Sequence, residues 1–146
     1  MSSVKLWLYG LIVHNLPETR CFGFKAALLR WCGAKVGKNV RITSSARFLG
    51  TGHIEIGDDV FISFDTMFNT NQQATIKIGN HVDIAPRVML LTGSHVVDRE
   101  GEHVAGEGKA NDIEVGDGSW LCAGTIILGG AKLPPKTIVG AGEMRK

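Results

Sequence analysis

At 146 residues the chain is of single-domain size, with a formal net charge of +2 and acids and bases interspersed over its length. That balance supplies no basic footprint for nucleic acid. Nineteen glycines and only 7% aromatics describe a chain that turns often and packs small and branched side chains.

The run Leu6–Val13 is apolar but too short to cross a bilayer, and no cleavage signal comes after it. A packed helix or arm is the expected role; weak peripheral contact with a membrane surface through this arm is the lesser alternative. Pro17 divides the first 35 residues. After it, Phe24, Ala27, Leu28 and Trp31 recur at helical spacing, and Gly33 stops the helix. This helix is expected to cap the open end of the segment that begins at Val36, with Phe24, Ala27, Leu28 and Trp31 as its apolar face. Cys21, Cys32 and Cys122 are odd in number and lack metal or redox spacing, as reduced thiols of a cytoplasmic protein would.

From Val36 the sequence becomes a ladder. Residues two apart share a strand face, and such pairs recur: Val40/Ile42, Ala46/Phe48, Ile54/Ile56, Val60/Ile62, Thr66/Phe68, Ile76/Ile78, Val82/Ile84 and Val88/Leu90. The series resumes at Ile113/Val115 and continues through Ser119/Leu121, Thr125/Ile127, Ala131/Leu133 and Thr137/Val139. Most pairs start six residues apart, with glycine-rich or polar triplets between them that read as corners. A short fixed period of this kind signals an all-β solenoid, a parallel β-helix. The chain therefore divides in two: 1–35, an N-terminal arm and capping helix, and 36–146, the β-helix with a protruding loop at 91–112.

The steps Ala46→Ile54, Thr66→Ile76 and Val88→Ile113 carry two, four and nineteen extra residues. Each falls at every third corner, so three strands make one coil and the insertions stack along one edge. The corners then sort into three columns. The first holds Gly37–Asn39, Gly57–Asp59, Gly79–His81, Gly116–Gly118 and Pro134–Lys136; its Gly-Asp and Gly-Asn dipeptides are explained as turn formers alone. The second holds Ser63–Asp65, Ala85–Arg87, Cys122–Gly124 and Gly140–Gly142. The third holds Leu49–His53, Asn69–Thr75, Leu91–Asp112 and Leu128–Gly130. Loops leaving a rigid scaffold on one side commonly carry function, so the third column is the functional edge. Its longest loop contains His95 and His103. His95 comes five residues after Leu90 and stays near the coil, where the spacing fits either a general base or a structural histidine; His103 sits among Gly and Glu as a solvated residue.

The hexad ladder, the phrase IAPRVMLLTGSH (Ile84–His95) and the phrase from Ile113 to Gly142 resemble the hexapeptide-repeat acyltransferases, the group of galactoside and maltose O-acetyltransferases. The lead-in Ala26–Ile42 is more similar to the branch that O-acetylates bacterial polysaccharide precursors. The resemblance implies a left-handed coil, a homotrimer, acetyl-CoA as donor, a sugar hydroxyl as acceptor, and no metal. It places the catalytic base on His95, the tryptophan at the wall of the site on Trp120, and the small residues along the CoA arm on Ala123 with Gly124 and Ala141 with Gly142. The family's acceptor-orienting asparagine falls on Ser63; Asp65 in the same corner and Asn69 at the neighbouring third-column corner are the other acceptor-side candidates. The family's usual continuation past the Gly-Ala-Gly corner is replaced here by Glu143-Met144-Arg145-Lys146.

His95 lies in the third column and Ala123 and Ala141 in the second, one strand apart, roughly 15 Å at about 3.3 Å per residue. A thioester carbonyl must approach its attacker to ~3–3.5 Å. An active site shared between neighbouring subunits resolves that gap. Two other readings use the same coil. A metalloenzyme of the γ-carbonic anhydrase type needs three suitably spaced histidines, and His81, His95 and His103 lack a close pair. A non-catalytic trimeric scaffold needs neither His95 nor small second-column corners.

Overall fold

The computed structural model describes residues 1–71 and 73–146. Gln72, inside the third-column stretch Asn69–Thr75, lies outside the described residues.

Two helices precede the coil. Helix α1 (Ser3–His14) starts at Ser2, whose side chain accepts the Lys5 N–H, and buries Leu6, Tyr9 and Val13 on one face. Helix α2 (Phe22–Trp31) comes after the Pro17 turn. The helix is where the spacing predicts it, but its buried face is not. Lys25, Ala26 and Leu29 point inward, Leu28 is half-buried, and Phe24 and Trp31 are 51% and 48% exposed. The cause is polar. The buried Lys25 ammonium donates to the carbonyls of Pro17 (2.9 Å) and Glu18 (2.7 Å), which fixes the helix with its lysine side down. Backbone carbonyls offered by the turn outweigh the apolar pattern.

Among the described residues, seventeen strands come after the helices. The first coils contain β1 (Lys35–Val36), β2 (Arg41–Ile42), β3 (Arg47–Gly50), β4 (His53–Ile56), β5 (Phe61–Ile62) and β6 (Met67–Thr70). The middle coil holds β7 (Thr75–Ile78), β8 (Asp83–Ile84) and β9 (Met89–Leu91), and leads into a hairpin of β10 (Gly93–Val97) and β11 (Ala105–Ala110). Then come β12 (Ile113–Val115), β13 (Trp120–Leu121), β14 (Ile126–Leu128), β15 (Lys132–Leu133), β16 (Ile138–Val139) and β17 (Met144–Arg145). They form three parallel sheets of five strands: β1-β4-β7-β12-β15, β2-β5-β8-β13-β16 and β3-β6-β9-β14-β17. This is the parallel β-helix expected from the ladder. The inward pairs are those read from the sequence: all are buried except Leu133 and Thr137, which are half-buried at the last coil. The coil extends beyond those pairs at both ends, with Ala34 buried beside β1 and β17 paired with β14.

The corners stack by one repeated device. The third residue of each triplet adopts a positive φ: Asp59 55°, His81 56°, Gly118 66° and Lys136 63° in the first column, Arg87 60°, Gly124 69° and Gly142 72° in the second. That conformation turns its N–H toward the carbonyl of the preceding coil's middle corner residue. Examples are His81 to Asp58 (2.8 Å), Arg87 to Phe64 (2.8 Å), Gly124 to Pro86 (2.9 Å) and Gly142 to Ala123 (3.0 Å). At the capped end, Tyr9 meets Phe48 edge-on at 5.7 Å and Phe48 stacks on Phe68 at 5.0 Å, an aromatic plug over the aliphatic core.

The sheets differ on their outer faces. Across the first, the paired residues are Lys35, Glu55, Lys77, Glu114 and Lys132, a ladder of alternating sign. Across the third, Met67, Met89 and Ile126 stand in register, beside Leu91 and Leu128. The long third-column loop is itself structured: β10 and β11 form an antiparallel arm with Ser94 opposite Lys109 and His95 opposite Gly108. Among the described residues, no helix is long and apolar enough to cross a membrane.

Candidate active site

His95 owes its position to the way the chain leaves the coil. After β9 ends at Leu91, Thr92 is buried; its hydroxyl accepts the Asn71 N–H (2.9 Å) and lies 3.4 Å from the Asn69 carbonyl. Asn111 donates to the Thr92 carbonyl at 3.1 Å, which closes the base of the arm. The arm therefore rises from the rigid third-column edge with His95 only a few residues from its root. The register of β10 against β11 shifts between His95 and Val97, a bulge of the kind that re-aims a side chain beside a functional site.

The imidazole of His95 is exposed, and its Nδ1 lies 2.8 Å from the Gly106 carbonyl oxygen. A carbonyl only accepts, so Nδ1 carries the hydrogen and Nε2 keeps a free lone pair. This is the tautomer a general base needs, held by backbone rather than by a carboxylate. A cavity of about 410 Å³ beside it is lined by Asn69, Thr70, Asn71, Gly93, Ser94 and His95. Two carboxamides thus face the same space as the imidazole, with donors and acceptors suited to polyhydroxylated ligands. Asn71 lines this cavity and is not among the residues singled out in the sequence. It lies one residue beyond β6, held by its N–H on the Thr92 hydroxyl, so strand alternation alone does not place it.

The other sequence candidates fall elsewhere within one protomer. Asp65, at φ 55°, and the Ala123–Gly124 corner border a second-column groove of about 440 Å³ together with Phe64, Pro86 and Arg87. Ser63 is buried at the root of this corner; its N–H donates to the Ile84 carbonyl and its own carbonyl accepts from the Thr66 hydroxyl at 2.8 Å. A Cβ added at Gly124 would meet nothing within 4 Å, so the groove floor is open. Ala141 and Gly142 continue the column one coil on, with the Gly142 N–H on the Ala123 carbonyl. Trp120 stands 49% exposed on the outer face of the second sheet between Asp83 and Ile138, bordering neither cavity. One protomer therefore brings His95 to Asn69, and Asp65 to Ala123 and Gly124, but does not bring the two groups together. His103 lies exposed at the far end of the arm, and His81 is 3.7 Å from Asp59 in the first column. Among the described residues no three His, Cys, Asp or Glu side chains stand together in one protomer as a metal site would require.

No family profile matches the chain. Individual proteins do. The putative colanic acid biosynthesis acetyltransferase WcaF of Escherichia coli K12 is 32% identical over 140 residues, spanning 94% of this chain and 73% of that protein. The galactoside O-acetyltransferase of the same organism is 27% identical over 120 residues, 82% of this chain and 58% of its own length. Among solved structures, the hexapeptide-repeat acetyltransferase VCA0836 of Vibrio cholerae, complexed with acetyl-CoA, superposes with a TM-score of 0.63 at 20% identity, covering 99% of this chain and 75% of that one. A maltose O-acetyltransferase from Clostridium difficile gives 0.60 at 18%, again over 99% and 75%. The ladder, the stacked corners and the similarity to WcaF over nearly all of this chain agree: the chain belongs to the hexapeptide-repeat acetyltransferase family.

Proposed function

We propose that the protein is a cytoplasmic enzyme that transfers the acetyl group of acetyl-CoA to a saccharide hydroxyl in surface-polysaccharide biosynthesis, with His95 as the general base. The observation that carries this reading is the anchored imidazole: Nδ1 on the Gly106 carbonyl, Nε2 free, beside Asn69 and Asn71 at the root of the arm. The family supplies the reaction class, and the relative named for colanic acid biosynthesis supplies the pathway class. Nε2 of His95 takes the proton of the acceptor hydroxyl as its oxygen attacks the thioester carbonyl. Collapse of the tetrahedral adduct breaks the C–S bond, and the imidazolium returns the proton to the departing CoA sulfur. The products are an O-acetyl ester and free CoA. Asn69 and Asn71 orient the acceptor, and the open Ala123–Gly124 corner receives the pantetheine arm, continuing past Ala141 and Gly142 with Trp120 at its side.

Because one protomer keeps these halves apart, the site is assembled between subunits of a homotrimer. The third sheet runs between the second and third columns, and its Met67–Met89–Ile126 row is the apolar outer face best suited to packing on neighbours. Packing there brings one subunit's Ala123 corner to another's His95. CoA release from acetyl-CoA, monitored against nucleotide sugars and oligosaccharides, tests the chemistry. His95→Ala should lower kcat/KM by about 10²–10⁴-fold; turnover unchanged in that variant sinks the mechanism. Mixing His95→Ala with a groove-blocked Ala123→Trp variant tests the sharing, since mixed trimers regain one intact site and recover part of the activity.

A further inference from the structure

The helical cap carries apolar surface that the fold does not use. On α1 the buried stripe is Leu6, Tyr9 and Val13, while on the opposite side Val4 and Leu11 are 65% and 50% exposed, flanked by Trp7 at 64% and Ile12. A helix apolar on both sides is ordinarily covered on both sides. Helix α2 repeats the situation, with Phe24 and Trp31 outward on the side opposite Ala26 and Leu29. The two helices pack on each other, and the Lys5 ammonium lies 4.8 Å over the Trp31 ring. Their outer sides thus form one surface at the capped end of the prism, with two tryptophans on it.

The stretch of chain that builds this end is basic in composition, although Lys35 is paired with Glu55 of the next coil. Residues 1–47 contain eight Lys and Arg against the single carboxylate Glu18, whereas residues 48–146 contain eight against thirteen Asp and Glu. The near-zero net charge of the whole chain hides this polarity. Of the charges at the cap, Lys25 is buried and Glu18 is engaged by Ser45. Lys5 donates to the Trp31 carbonyl and Arg30 to those of Val36 and Gly37, which holds them in place without cancelling their charge, and Arg20 is exposed beside them.

We infer that this surface docks on an anionic lipid bilayer, with Val4, Trp7, Leu11, Phe24 and Trp31 in the interfacial layer and Lys5, Arg20 and Arg30 on the headgroups. Tryptophan favours the boundary between hydrocarbon and water, and a cationic rim around an apolar helix face is the combination that binds lipid surfaces without spanning them. A second copy of the chain fits less well, because it would oppose one basic cap to another. An acidic bilayer is complementary in charge as well as in polarity. Docking of this kind does not depend on the acetyl-transfer reading.

Flotation of the full chain with vesicles tests it, together with tryptophan fluorescence. Vesicles of phosphatidylcholine mixed with phosphatidylglycerol should carry the protein up the gradient and shift its emission to the blue. Phosphatidylcholine alone, or salt near 1 M where the Debye length is about 3 Å, should weaken binding. The double variant Trp7→Ser/Leu11→Ser, and separately Phe24→Ser/Trp31→Ser, should lose about tenfold in partitioning with unchanged circular dichroism. Ile138→Ser, an exposed apolar residue in the last coil, should bind as the parent does. The inference is overturned if the parent chain stays with the aqueous fraction, or if the folded α1 and α2 variants float equally well. It is also overturned if the parent forms a larger assembly that the variants abolish, since a second copy would then cover the face.

Discussion

A methyl group at Gly57 would stand 2.7 Å from the carbonyl carbon of Gly79 in the next coil and 2.6 Å from Asn80 Oδ1. The first-column glycines are therefore there for spacing between coils. Gly57→Ala should lower stability by more than about 2 kcal/mol, read as a drop in the thermal midpoint. The Asp and Asn next to those glycines have a second cause besides turn formation. Asp58 Oδ1 accepts the Lys38 N–H (2.7 Å), Asn80 Oδ1 accepts that of Asp58 (2.8 Å), and Asp117 Oδ1 accepts that of Asn80 (2.8 Å). Sequence alone showed the turn but not this side-chain ladder, because each partner is a whole coil away. The Asn80 backbone N–H, more than any other group, holds the Asp117 carboxyl below its ordinary range, and the hydrogen bond from Lys35 does the same for Glu55. A carboxyl whose acidity is raised by folding adds stability above its unfolded pKa of about 4, and that contribution fades as pH falls through the lower folded value. Asp117→Asn keeps an acceptor that does not titrate. Its unfolding midpoint should fall less than the parent's between about pH 4 and pH 2.

Among elements, helix α2 shows why a correct period gives the wrong face. Phe24, Ala27, Leu28 and Trp31 satisfy helical spacing, yet the face that turns inward is the one with Lys25 on it. Periodicity ranks side chains by hydropathy and has no knowledge of the carbonyls that the turn at Pro17 and Glu18 turns toward the helix. Lys25→Met keeps the buried stem and removes the donor; the Pro17 carbonyl retains the Arg20 N–H and the Ser44 hydroxyl, so the cost, about 1–3 kcal/mol, comes from the Glu18 carbonyl. Phe24→Ser should stay within about ±0.5 kcal/mol. Chemical denaturation of the two variants distinguishes the observed face from the expected one; the opposite ranking would restore the sequence pattern. The arm between Leu91 and Asp112 is the converse case. Its length and position were legible as the largest interruption of the ladder, but its hairpin pairing was not, because β11 (Ala105–Ala110) alternates small and charged residues with no apolar face. His95 was found by its place just beyond the coil and by the phrase around it. What fixes its tautomer, the carbonyl of Gly106, is a backbone group and leaves no trace in residue identity.

At the scale of the whole molecule, the three outer faces differ in what they offer a second copy. The first sheet presents Lys35, Glu55, Lys77, Glu114 and Lys132 in alternation, with Lys35 and Glu55 paired at 2.6 Å and Lys132 and Glu114 at 3.7 Å. Such a face is already satisfied within one chain and loses solvation if covered, and its exposed pairs contribute only about 0–1 kcal/mol each. The third sheet offers no such pairing: Met67, Met89 and Ile126 are half-buried in the isolated chain and gain from being covered. Its two edges are the second and third columns, so a ring closed through this sheet necessarily sets the Ala123 corner of one subunit beside the arm of the next. In the proposed trimer, assembly and catalysis are one property. Met89→Lys should dissociate the proposed trimer in sedimentation velocity and abolish CoA release together, because a separated subunit holds His95 without a donor groove. Lys77→Glu, on the first sheet, should leave both intact. A Met89→Lys protein that sediments as a monomer yet retains turnover would place the whole site within one chain, and the separation between His95 and Ala123 would then need a different bridge.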